Sequence, residues 1–154
     1  MKRVFISYAT EDYEFALKIY NDLKKKGAEP WWDREDLLPG QNWKIVIKKV
    51  IRDCDYFLTL LSSRSVSKKG FVQEEQQFAF EEARLYPPDR IFIIPVRLDD
   101  CQPPYEELRD IHYADLSVAS YENAINNILR AMEIPQGELI GSQLAETYQF
   151  KETV

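Results

Sequence analysis

Apolar positions in this chain fall into two kinds of pattern, short unbroken runs and helical stripes, and the two alternate. Val4-Phe5-Ile6-Ser7-Tyr8 is a run, and the segment from about Asp12 to Lys26 then repeats Phe15, Ala16, Ile19 and Leu23 at helical spacing before Gly27 ends it. Ala28 to Trp32 reads as a weaker strand, with one of Trp31 and Trp32 expected to face the core. Past a polar loop rich in turn residues, a helix from about Asn42 to Asp53 turns Trp43, Val46, Ile47 and Val50 inward. Asp55 to Leu61 is the clearest strand, and the loop from Ser62 to Lys69 leads into a helix from about Gly70 to Ala83. Pro87-Pro88 precedes a buried run from Ile91 to Val96; Ile111 to Leu116 is expected as a last strand and Tyr121 to Met132 as a last helix, broken by Pro135-Gln136-Gly137.

Near-continuous apolar strands separated by helices imply a parallel sheet covered on both faces, and right-handed crossovers make it a doubly wound, flavodoxin-like α/β domain of about five strands. Ligands of such sheets bind outside the carboxyl ends of the strands, near the switch in strand order. The segments leaving the first three strands are Ser7-Tyr8-Ala9-Thr10, Asp33 to Trp43 and Ser62-Ser63, so the polar candidates fall on one rim.

One residue on the helix after the third strand breaks its own pattern. At about 100° per residue Phe71, Val72, Phe78 and Ala79 share a side, and Glu75 points into the middle of that arc. An ionised carboxylate facing a core costs several kcal/mol unless it is paired or reaches a cavity, so Glu75 implies a polar pocket over the first turn. The plainer alternative is an acid complementing the positive end of the helix dipole. Glu82, two turns on, is expected to approach solvent and serve structure.

Composition narrows the choices. The 154 residues, 45% hydrophobic and 30% charged, suit one domain with a real core, expected over residues 1–134, followed by a linker or tail over 135–154. A net charge of −6 argues against direct nucleic-acid binding, since Lys24-Lys25-Lys26, the one basic run, closes a helix where cations suit the dipole. Met1 leads straight into a strand without a secretory pattern, and no segment has the roughly 20 apolar residues of a membrane span, so a cytoplasmic protein off the membrane is expected. Cys54 and Cys101 stand apart and His112 is the sole histidine, which argues against a disulfide framework, a metal centre or a Ser-His-Asp triad. The turn after the first strand has no glycine to cradle a phosphate, and the third strand ends Leu61-Ser62-Ser63 with no aspartate to phosphorylate, which disfavours dinucleotide-fold and receiver-type sites.

What remains resembles a TIR domain of the bacterial type, over about Lys2 to Ile134. Val4-Phe5-Ile6-Ser7-Tyr8-Ala9 is similar to the family's first box, and Asp33 to Trp43, with its Pro39-Gly40 pair, to its long loop after the second strand. Phe71-Val72-Gln73-Glu74-Glu75 resembles the Trp-x-x-x-Glu motif of NAD-cleaving TIR domains, with Phe71 keeping an aromatic wall but not the indole donor.

The resemblance implies an NAD+ nucleosidase that needs no cofactor, takes NAD+ as substrate and uses Glu75 as its catalytic carboxylate. Tyr8, Ala9, Thr10, Asp33, Leu38, Gly40, Trp43, Ser62 and Phe71 are then expected around the substrate, although Trp43 reads equally as a core anchor, Asp33 as a turn residue and Ser62 as a helix cap. The resemblance further implies activity on self-association with other TIR domains, a C-terminal sensor module beyond the linker, and a role in bacterial antiphage defence. A non-catalytic scaffold that joins TIR domains through the Pro39-Gly40 loop is the alternative.

Overall fold

The computed structural model describes residues 1–31, 37–67, 71–103, 106–116 and 120–135, the side chains of 71–73 excepted. Among them, five parallel strands form one sheet: β1 (Arg3–Ser7), β2 (Glu29–Trp31), β3 (Tyr56–Leu61), β4 (Ile93–Arg97) and β5 (Ala114–Asp115), in the order β2-β1-β3-β4-β5. Helices α1 (Tyr13–Lys25), α2 (Trp43–Asp53), α3 (Ser63–Ser67), α4 (Phe71–Ala83), α5 (Glu106–Arg109) and α6 (Tyr121–Ala131) lie between and after them. The expected doubly wound sheet with helices on both faces is what the chain forms.

Strand side chains alternate between two cores, as a pleat requires. Val4, Ile6, Leu58, Leu60, Ile94 and Val96 pack under Ala16, Ile19 and Leu23 of α1 and Ile125, Ile128 and Leu129 of α6. Phe5, Phe57, Leu61 and Ile93 pack on the other face, against Ile47 and Ile51 of α2 and Ala79 and Phe80 of α4. Trp31 joins this second core, its ring centroid 5.1 Å from that of Phe5. All six residues of β3 are buried, which is why it is the most legible strand in the sequence.

Some boundaries differ from the pattern's expectation. Phe15 sits on the flank of the α1 stripe and is 47% exposed, while Ala16, Ile19 and Leu23 are sealed. Ile91 is likewise exposed, and pairing with β3 starts where the Phe57 N–H donates to the Phe92 carbonyl at 2.8 Å. The last strand shrinks to Ala114–Asp115. At the opposite edge, Glu29 N–H donates to the Lys2 carbonyl at 2.8 Å. Neighbouring residues of a strand present their backbone groups to opposite sides, so those of Pro30 face outward, where its ring removes a donor.

Helix ends explain two further boundaries. After α1, Gly27 takes φ +93°, its N–H reaches the Lys24 carbonyl and that of Ala28 the Leu23 carbonyl, a Schellman closure. After α6 the same pair of bonds runs from Glu133 to Arg130 and from Ile134 to Leu129, with Glu133 held at φ +57°. This closure, rather than Pro135, stops the last helix. An L side chain pays about 1–2 kcal/mol for that conformation, partly offset because glycine gives up more chain entropy on folding. Glu133→Gly should therefore raise the unfolding free energy by roughly 0.5–1 kcal/mol, read as a higher urea midpoint at unchanged slope.

Candidate functional site

With β1 sending the chain one way along the sheet and β3 the other, the switch in strand order lies between their carboxyl ends. Ser7 ends β1, and its register partner across the ladder is Thr59 of β3. Both belong to the sequence of side chains that faces α2 and α4, following Phe5 and Phe57, yet both are hydroxyls in otherwise apolar strands. Each is fully buried, so each needs a partner.

Two consecutive residues of α4 supply them. The Ser7 hydroxyl donates to Oε2 of Glu75 at 2.7 Å, and Nε2 of Gln76 donates to the Thr59 hydroxyl at 2.8 Å. Glu75 and Gln76 are each only 2% exposed. The helix is thus fastened to two adjacent strands through adjacent side chains, with a carboxylate fixed over the switch point.

A second polar layer lies just beyond the strand ends. The Ser62 hydroxyl, directly after β3, donates to Oδ2 of Asp12 at 2.6 Å. Ser62 also caps α3: its hydroxyl accepts from the Ser65 N–H at 3.1 Å while its own N–H donates to the Ser65 hydroxyl at 2.8 Å, a reciprocal box that starts a helix with no apolar stripe. The next residue, Ser63, donates its N–H to Asp99, which follows β4 and also accepts from the Cys101 N–H at 2.9 Å. Asp12 and Asp99 respond oppositely to these settings. Burial raises the Asp12 carboxyl above its ordinary value despite the Ser62 bond. Burial pushes Asp99 up as well, but the backbone donors of Ser63 and Cys101 outweigh it and hold that carboxyl below the ordinary range.

The remaining candidates spread along the same rim. Tyr8 is half-buried with its ring 6.4 Å from that of Tyr13; Ala9 is buried and its carbonyl accepts from the Asp12 N–H, opening the 3₁₀ turn that exposes Thr10. Leu38 is 66% exposed and begins a type II turn, with Pro39 next, Gly40 at φ +91° and the Gln41 N–H returning to the Leu38 carbonyl at 3.0 Å. Asn42 caps α2, and Trp43 at its first position packs against the Phe5 core, so it does anchor that helix. Lys44 pairs with Glu74 at 3.6 Å; both are well exposed and the pair stabilises little, but it places the end of this loop beside the α4 turn that carries Glu75. Phe71 opens α4, its side chain outside the described residues, as are Asp33 and Trp32. Glu82 accepts from the Tyr86 hydroxyl at 3.0 Å within its own helix end.

Ser7, Thr59, Gln76 and Asp12 were not singled out by periodicity. The signal was there in part: a lone hydroxyl in each of two apolar strands, and two successive polar residues, Glu75 and Gln76, where the helix turns inward.

The profile of the TIR domain family matches residues 4–129. A curated relative, the 3′ cyclic ADP-D-ribose synthase AaTIR of Aquimarina amphilecti, is 28% identical over 115 residues, covering 73% of this chain; the chain spans 34% of that protein's length. In fold, the chain is similar to the TIR domain of the Toll-related receptor TRR-2 of Hydra magnipapillata, with a TM-score of 0.69, 21% identity and coverage of 84% of this chain and 97% of that one. It is also similar to the TIR domains of the activated Roq1 resistosome, with a TM-score of 0.65, 19% identity and coverage of 86% and 99%.

Because Asp12 holds its proton more tightly folded than unfolded, its ionisation costs stability above its folded pKa, and that cost is relieved as the pH falls through it. Asp12→Asn, which keeps an acceptor for Ser62, should stabilise the domain at neutral pH, with the gain vanishing below the ordinary carboxylate value of 3.8. Thermal unfolding of both proteins across that range checks it; a gain that grows toward acid would contradict the assignment.

Proposed function

The chain belongs to the TIR domain family, and from that premise we propose that it cleaves the bond between nicotinamide and ribose in NAD+, with Glu75 as the catalytic carboxylate. The observation that carries this reading is the buried Glu75 carboxylate held at the switch point by Ser7. Nicotinamide leaves a pyridinium as a neutral molecule, so no acid must protonate it. The demand falls on the oxocarbenium character that develops on the ribose, and a fixed carboxylate away from water meets it by charge and by hydrogen bonds to ribose hydroxyls.

Attack by water then gives ADP-ribose, free nicotinamide and a proton; attack by a ribose hydroxyl or by the adenine gives a cyclic product. The name of the Aquimarina relative, a 3′ cyclic ADP-D-ribose synthase, supports the cyclic route as one to look for. NAD+ is the substrate and no cofactor is needed. In this proposal Tyr8, Ala9, Thr10 and Ser62 line the rim, Asp33 holds a ribose hydroxyl, and Phe71 and Trp43 stack on rings or order the loop that carries Leu38 and Gly40.

The proposal extends to the setting of the domain. Residues 1–134 form the effector and 135–154 lead to a sensor module, as the greater length of the relative suits. Self-association with other TIR domains activates the enzyme in the cytoplasm, in bacterial antiphage defence. No helix among the described residues is long and apolar enough to cross a membrane.

The test is NAD+ consumption by the domain at tethered or crowded concentration, with nicotinamide followed as product. Glu75→Gln should lower turnover by about 10²-fold or more with circular dichroism and self-association unchanged. An assembled wild-type protein without turnover would move the assignment to a non-catalytic scaffold that joins TIR domains.

A further inference from the structure

Resting on the proposed NAD+ cleavage, we infer that Ser7 is a positioning residue for that reaction, its hydroxyl setting the Glu75 carboxylate in the orientation that the developing charge on the ribose requires. Three observations carry this. The bond is short, 2.7 Å, and lies between side chains that are 0% and 2% exposed, so water does not compete for it. Ser7 closes β1 and is paired there with Thr59 of β3, so its donor is placed by the central ladder of the sheet rather than by a loop. And the neighbouring bond from Gln76 to Thr59 fastens the same turn of α4 to the sheet as well, so the docking of that turn does not rest on the Ser7 bond alone.

The chemistry of the donor matters as much as its position. A Lys or Arg at this point would hold the carboxylate but cancel the charge that an oxocarbenium ion must feel. A hydroxyl is neutral: it fixes one oxygen and the plane of the group while leaving the negative charge in place. A glutamate side chain otherwise has several rotamers to lose, and ordering it before the substrate arrives removes that cost from the transition state.

Thr59 supplies the control, because Thr59→Val removes the adjacent bond to the same helix turn without touching the carboxylate. Steady-state kinetics of the assembled protein, with unfolding midpoints alongside, should show Ser7→Ala losing about 10- to 100-fold in kcat with KM changed little. Thr59→Val should lose comparable stability but keep kcat within about twofold. If Ser7→Ala does not fold, Ser7→Cys, a weak donor of similar size, takes its place with the same expectation. Equal losses of kcat in the Ser7 and Thr59 variants would overturn the inference and leave Ser7 an anchor for α4 and nothing more. A fully active Ser7→Ala beside an inactive Glu75→Gln would overturn it too, while leaving the proposed cleavage intact; an assembled wild type without turnover would overturn both.

Discussion

Hydroxyls buried in the middle of a sheet must be satisfied by whatever covers it, and that constraint organises this fold. Ser7 and Thr59 stand side by side on β1 and β3, and the helix laid over them has to present polar groups at one height. Glu75 and Gln76 do so in consecutive positions, which fixes both the rotation of α4 and its distance along the strands. A purely apolar helix face would bury comparable area but would leave two hydroxyls unpaired, at about 1–3 kcal/mol each. The seam therefore selects one docking of α4 among the several that grease alone would allow.

The same seam joins stability to the proposed chemistry. Glu75 is buried between α4 and the sheet and stands at the switch in strand order, the place at which such sheets take ligands. The rim beyond it is drawn together by serine and aspartate: Asp12 to Ser62, Ser63 to Asp99. These bonds tie the segments leaving β1, β3 and β4 to one another on that side of the rim. The β2 side is built differently, from a glycine-dependent turn with an exposed Leu38, and α2 beyond it meets α4 through the solvent-exposed pairs Lys44 to Glu74 and Lys48 to Glu81 and through the packing of Ile47 and Ile51 against Ala79 and Phe80.

The sequence made legible whatever rests on local period. β3 is buried along its whole length and reads as an unbroken apolar run, and the order of strands and helices follows from such runs. Glu75 is visible because a carboxylate on an apolar arc violates the helical pattern at a single position. Its partner is not visible, since Ser7 lies 68 residues away and meets it only through the crossover topology. The short helix after β3 escapes notice for another reason: Ser63 to Ser67 has no stripe, and what starts it is a pair of hydroxyl caps rather than burial. Phe15 shows the limit of periodicity itself, because a residue at the flank of a stripe is as apolar as one at its centre.

The edges of the sheet carry a consequence for how copies of this domain can meet. On the β2 side the outward backbone groups include those of Pro30, which has no proton to offer an incoming strand, and on the other side, among the described residues, β5 is the two-residue strand Ala114–Asp115. A strand from a neighbouring molecule would find a broken ladder on one flank and a stub on the other. Growth by adding strand to strand, the route that turns exposed sheets into fibres, is thereby discouraged at both ends. Contact with other molecules is left to helix surfaces and loops, where side chains, unlike a generic backbone ladder, can distinguish a proper partner from any passing chain.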